Sequence, residues 1–146
     1  MKRFIALVAV LAMLLPAGCE SRLEHSQTDA ANVASTYLTE LLIDQDVEAA
    51  YAMRDSESNE DVTAADLERW ASMQAGAGDV AEIKATEYEI SQDKAAIEVY
   101  LTGYGEAQVR YYRVRVRGTA AMGYQPSETE VSGDPFPGSN FRQRLY

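Results

Sequence analysis

Apolar and polar positions change their period once along this chain, and the change divides it into a helical first half and a stranded second half. From Asp29 onward, Ala30, Val33, Ala34, Tyr37, Leu38, Leu41 and Leu42 recur at i, i+3 and i+4 spacing. That spacing keeps one face apolar and predicts an amphipathic helix with Thr28 or Asp29 as its N-cap. Asp46 can cap a second, shorter helix through Val47, Ala50, Tyr51 and Met53. A polar loop, Arg54 to Asp61 (RDSESNED), comes next and reads as solvated. Thr63 and Asp66 then match a capping box, and Val62 with Leu67 a hydrophobic staple, so a third helix starts here. Its apolar face continues through Trp70 and Ala71 until Gly76-Ala-Gly78 stops it.

Beyond residue 80 the period falls to two. Val80 to Ile90 is rich in strand formers, with Tyr88 and Ile90 on one face, and Ser91 to Lys94 makes a turn. Ile97, Val99 and Leu101 alternate with Glu98, Tyr100 and Thr102, the pattern of a half-buried strand. A long strand follows from Ala107 to Arg117. Val109 and Tyr111 share one phase there, while Tyr112, Val114 and Val116 share the other, and such a phase change predicts a β-bulge near Tyr111-Tyr112. Met122 to Val131 is a weaker strand, placed at an edge by Pro126, which has no amide hydrogen to give a ladder. Residues 132–146 read as an irregular tail. Helices followed by strands predict an α+β domain: three N-terminal helices packed on a curved antiparallel sheet of about four strands.

That order, the long first helix leading into LLIDQDVEAAY, and the YEISQDKAAIEVYL hairpin resemble the nuclear-transport-factor-2-like (NTF2-like) superfamily, especially its small bacterial lipoproteins. The similarity runs over residues 29–131. Where that family usually closes with a Trp-containing last strand, this chain has Met122-Gly-Tyr124. The resemblance implies a cone-shaped domain. It does not choose a function, because the superfamily hosts both enzymes and binding modules.

The N-terminus adds a destination. Lys2 and Arg3 precede an apolar run from Phe4 to Leu15, which suits a signal segment and is shorter than the roughly 20 residues of a spanning helix. Pro16-Ala17-Gly18 lead into Cys19, the only cysteine. LLPAGC resembles the bacterial lipobox, with Pro16 where the pattern has an aliphatic residue. This resemblance implies a signal peptide over 1–18, a diacylglyceryl group on Cys19, further acylation such as palmitate, and membrane anchoring. Residues 19–28 then form a polar tether. Glu20 is not the inner-membrane retention signal of enteric bacteria, so a diderm host would carry the protein in its outer membrane, facing the periplasm.

Charge narrows the partners. The formal net charge is −10, and losing Lys2 and Arg3 with the signal takes it to −12. An acidic domain disfavours nucleic acid and close docking on anionic headgroups. With one cysteine there can be no internal disulfide, so the fold relies on its core.

Candidate chemistry is sparse. Enzymes of the superfamily generally use an Asp or His with a Tyr or protonated acid as donor, and the only histidine, His25, falls in the tether as a solvated linker residue. Tyr37, Tyr51, Tyr88, Tyr100 and Tyr112 can line a cavity or simply pack. The acidic loop at Asp55, Glu57, Glu60 and Asp61 lacks the glycine and closing glutamate of an EF-hand. No cofactor and no metal is expected. The most unusual feature is Arg113, Arg115 and Arg117 at period two, with Arg110 on the other phase. They form either an outer face paired with cross-strand acids such as Glu98, or a recognition stripe for an anionic partner. The expectation is a lipid-anchored, non-catalytic envelope protein that binds a small ligand or a partner protein. The alternatives are a small isomerase or dehydratase, and a subunit or inhibitor in an envelope complex.

Overall fold

The computed structural model describes residues 24–146; the signal segment and Cys19 lie outside the described residues. Helix α1 spans Gln27–Leu42 and starts two residues before the apolar pattern does. Ser26 is its N-cap, accepting from the Asp29 amide at 3.2 Å, so Thr28 and Asp29 fall inside the first turn. There Asp29 meets the positive end of the helix dipole. Helix α2, Val47–Met53, is capped by Asp46, which accepts from the Ala49 amide at 2.9 Å. Helix α3, Ala64–Gly76, has the full capping box: Asp66 N donates to Thr63 Oγ1 at 3.2 Å and Thr63 N to Asp66 Oδ2 at 3.0 Å. Caps of this kind are each worth about 1 kcal/mol.

The strands are β1 (Glu82–Ile90), β2 (Ala96–Tyr104), β3 (Val109–Thr119), β4 (Gly123–Ser132) and β5 (Gln143–Arg144). They form one antiparallel sheet in the order β4-β3-β2-β1-β5. The α+β class holds, with five strands where about four were expected. The fifth comes from the tail, which is not irregular throughout: Gln143 and Arg144 pair with Tyr88 and Glu87 on β1. Pro126 does sit in an edge strand.

The bulge expected at Tyr111-Tyr112 is not there. β3 pairs with β2 unbroken from Val109 to Arg117. The register shifts lie instead in β1, where Thr86 is the extra residue, and in β4, where Ser127 is. The expectation failed because it turned every apolar residue inward. β3 keeps one phase throughout, leaving Val109 exposed and carrying Arg110 inside with Tyr112, Val114 and Val116. Arg110 can be buried because Nη1 donates to the Gln74 carbonyl at 2.7 Å, at the negative end of α3.

Helix α1 lies across all four long strands, while α2 and α3 lean on α1 and on each other. Tyr37, Leu38 and Leu41 meet Ile97, Val99, Leu101, Tyr112, Val114 and Val116 in a filled core. Full burial of such an aliphatic side chain contributes roughly 1.5–3 kcal/mol.

Both ends of the described residues pack onto this frame. The tail crosses the outer face of the sheet, so β2 is buried on both faces and not half-buried. Arg142 lies 3.8 Å from the centroid of the Tyr100 ring, and Phe136 meets that ring edge-on at 6.0 Å. At the other end, residues 24–26 belong to the fold, not to a solvated tether. The Ala120 amide donates to Glu24 O at 3.0 Å, and His25 Nε2 donates to Lys94 O at 2.8 Å. Because that carbonyl can only accept, in the neutral imidazole Nδ1 accepts from the Tyr124 hydroxyl at 3.3 Å. The Ser26 amide also donates to Tyr124 Oη, at 2.7 Å.

Candidate functional site

The three arginines of the stripe share the outer face of β3, and each is already engaged. Arg113 pairs with Glu130, its cross-strand neighbour. Arg115 Nη1 reaches Glu98 at 2.9 Å, and its Nη2 lies 3.8 Å from Asp93. Arg117 leaves the sheet to clamp Asp55 at 3.1 Å and Glu57 at 2.8 Å. Arg113 and Arg115 floor an outer groove of about 560 Å³ whose other lining includes Glu89, Asp93, Glu98, Glu128 and Glu130. Both guanidiniums are already paired with acids of that lining, so an anionic partner must displace those acids to reach them. Burial pushes the Glu98 carboxyl above its usual range, outweighing the charges of Arg115 and Arg113.

The acidic loop is exposed at Ser56, Glu57, Glu60 and Asp61, as a solvated loop should be, but it is tied down at Arg54 and Asp55. It contains a short 3-10 turn, Glu57–Asn59, and is tied to the sheet edge by the Asp55 amide donating to Pro126 O at 2.8 Å. Burial alone would raise the Asp55 carboxyl, but hydrogen bonds from Arg117 and Ser58 and the Arg117 charge hold it below its ordinary value. A depressed carboxylate stabilises the fold above its unfolded-state pKa, roughly 3.9, and that contribution is lost as pH falls through the lower folded value. Asp55→Asn is therefore expected to flatten the acid limb of a urea-midpoint profile between about pH 5 and pH 2. An unchanged acid slope in the variant would remove Asp55 from the acid response.

A second feature lies on the helical side of the sheet. Because α3 leans on the other helices, a cleft of about 470 Å³ opens between it and β4. Val62, Leu67 and Trp70 form the helical wall, Ser127 and Thr129 the strand wall, and Tyr37 and Arg54 also line it. Arg54 follows the C-terminus of α2 and is only 6 % exposed. Its Nε donates to Asn59 Oδ1 at 3.0 Å, Nη1 to Tyr37 Oη at 3.3 Å and Nη2 to Ser58 O at 3.3 Å. All three acceptors are neutral. A guanidinium carries five N–H groups, so one hydrogen on each terminal nitrogen is left over. The adjacent Asp55 belongs to Arg117, and no carboxylate pairs with Arg54 among the described residues. Thr129 Oγ1, on the opposite wall, is buried with no hydrogen-bond partner among the described residues.

Burying a charge is costly unless it is paired. Arg110, equally buried, also meets only neutral oxygens, the carbonyl and side-chain amide of Gln74 at the negative end of α3. Its Nη2 finds no partner among the described residues. Arg54 differs in lining a cleft with room for a ligand. The cleft therefore presents a desolvated cation beside an apolar wall, which is what holds a carboxylate with an apolar body. Asp66, Glu128 and Glu130 also line it, and they disfavour ligands of higher negative charge. Among the described residues Asp66 is bonded to Thr63 and Arg69 and Glu130 to Arg113, while Glu128 has no partner.

The sequence pattern singled out Arg113, Arg115 and Arg117 but not Arg54. The one available signal was that Arg54 is the only cation in RDSESNED, and the neighbouring acids were its obvious partners. The fold gives those acids to Arg117. Among the described residues no three His, Cys, Asp or Glu side chains come together as metal ligands do. Cys19 lies outside the described residues. No protein-family model, no curated protein and no solved structure matches this chain.

Proposed function

We propose that this chain is a lipid-anchored, non-catalytic binding protein of the bacterial cell envelope, and that its ligand is a small monocarboxylate held in the cleft between α3 and β4. Arg54 carries this reading: it is a buried guanidinium with two free hydrogens and no counter-ion among the described residues, lining a cleft with an apolar wall. The LLPAGC segment and the sole cysteine support the anchor. Helix α1 across one face of a sheet that carries two bulges supports the NTF2-like, cone-shaped reading. An isomerase or dehydratase is less well supported. The carboxyl raised by burial, Glu98, is on the opposite face of the sheet and is held by Arg115.

Trp70 is the only tryptophan and lines the cleft, so its fluorescence reports occupancy directly. Titration with hexanoate and phenylacetate is expected to give a saturable change, with hexanol and phenylethanol giving none. Silence across the carboxylates, or an equal response to the alcohols, sinks the cleft assignment. The anchor is checked separately. Cys19→Ala is expected to move the protein wholly into the soluble fraction and to remove the acyl mass of the membrane-extracted form. A variant that pellets as before and keeps its full mass contradicts the lipid assignment.

A further inference from the structure

We infer that the end of the domain bearing the β3–β4 turn, residues 119–123, lies against the lipid surface, with Met122 as the contacting side chain. The inference rests on the proposed anchor at Cys19 and on two observations independent of each other.

The first is where the tether is fastened. Glu24 is bonded to Ala120 in the β3–β4 turn, His25 to Lys94 at the β1–β2 turn, and both His25 and Ser26 to Tyr124. These bonds pin the start of the described chain to one end of the sheet. Five peptide units separate Glu24 from Cys19, and five units span about 18 Å at full stretch. An eleven-residue strand such as β3 is roughly 36 Å long. A lipid on Cys19 therefore keeps the pinned end within half a strand length of the bilayer. The opposite end, at the Gly105–Gln108 turn, reaches the surface only if the domain lies flat.

The second is the make-up of the β3–β4 turn, the uncharged one of the two turns at that end, since the β1–β2 turn beside it carries Asp93 and Lys94. Gly118 to Gln125 (GTAAMGYQ) contains no charged residue, in a chain where a quarter of residues are charged. Ala120, Ala121 and Met122 are all exposed, Met122 at 87 %. Turns are ordinarily built from Gly, Pro, Asn, Asp and Ser, so an exposed apolar tip needs a reason. An uncharged tip also avoids the repulsion that the rest of this acidic surface meets at anionic headgroups. A bilayer interface, into which a methionine can settle, accounts for both facts.

The test uses lipidated full-length protein in phosphatidylcholine/phosphatidylglycerol vesicles. In that protein the Cys19 thiol is acylated, so a thiol fluorophore on Met122→Cys or on Glu106→Cys labels one position only. Headgroup spin-labelled lipid is expected to quench the dye at 122 several-fold more than the dye at 106. A Gly/Ser insert of about ten residues after Glu20 is expected to keep the protein bound while reducing the quenching at 122, because the longer leash frees the domain. A vesicle-bound protein with equal quenching at both positions, or quenching at 122 that the insert leaves unchanged, overturns the orientation. A protein that carries no lipid and floats free of the vesicles overturns the anchor itself, and the orientation with it.

Discussion

Arg54→Met is expected to abolish the carboxylate response of Trp70 while leaving domain stability within about 2 kcal/mol of the parent. The charge is 94 % buried by area, the complement of its 6 % exposure, and faces only neutral acceptors. Replacing a buried ion by an apolar side chain of similar reach is often neutral or stabilising, because the desolvation cost goes with the charge. Against that stands the Tyr37 hydroxyl, which loses its donor in a fully buried position, at a cost of about 1–3 kcal/mol. Asn59 and Ser58 are only partly buried and can turn to water. The terms nearly cancel. For the ligand nothing cancels, since a desolvated carboxylate loses its only cation. Affinity is expected to fall at least 30-fold, the loss of one charge-assisted hydrogen bond at about 2 kcal/mol. Arg54→Lys keeps the charge but not the fork and is expected to fall between. Full binding by Arg54→Met disproves the carboxylate site. A loss of about 4 kcal/mol in urea unfolding would show that Arg54 holds the fold instead.

What the sequence made legible follows the range of the interactions. The helix caps were readable because a cap is local: Asp46 and Thr63 act on amides three residues away. Even so, Ser26 displaced Thr28 and Asp29 as the first cap, since any of these side chains can accept. Strand positions and the edge placement of β4 came from period two and a single proline. The β3 bulge was misplaced because burying Arg110 depends on α3, which contributes the Gln74 carbonyl from 36 residues away. β5 was invisible, since two residues joined by backbone bonds leave no hydrophobic pattern. The arginine stripe was legible as a face. Of its partners only Glu98, directly across a strand, was legible. Arg54 could not be recognised, because its meaning turns on Arg117 taking Asp55 across 62 residues. The functional residue is thus defined by a partner it lacks, and no local pattern records that.

Gly118→Val should be among the most damaging single changes at the pinned end, lowering stability by about 4 kcal/mol or more. Gly118 closes the β3–β4 hairpin at φ 128°, a conformation L side chains rarely adopt, and strain there costs about 1–3 kcal/mol. A Cβ at this position would also overlap the carbonyl oxygen of Gly123 across the turn. The backbone has little freedom to yield, because Gly118 pairs with Tyr124 on β4 and donates its amide to Ala95 O at 3.3 Å. Relief of the overlap requires Gly123 and Tyr124 to move. Tyr124 in turn holds His25 and Ser26, so the same displacement loosens the docking of residues 24–26. At this domain size each 1 kcal/mol shifts the melting temperature by about 4 °C, so a fall of roughly 15 °C is expected. Gly118→Ala should fall by less, since it shares the overlap but not the branched side chain. Amide exchange at Ser26 and Ala120 should quicken in both variants, ahead of exchange in the β2–β3 core. A valine variant that melts within a few degrees of the parent would mean that the hairpin does not close as described. Fastening of the tether at Tyr124 would then lose its geometric basis as well.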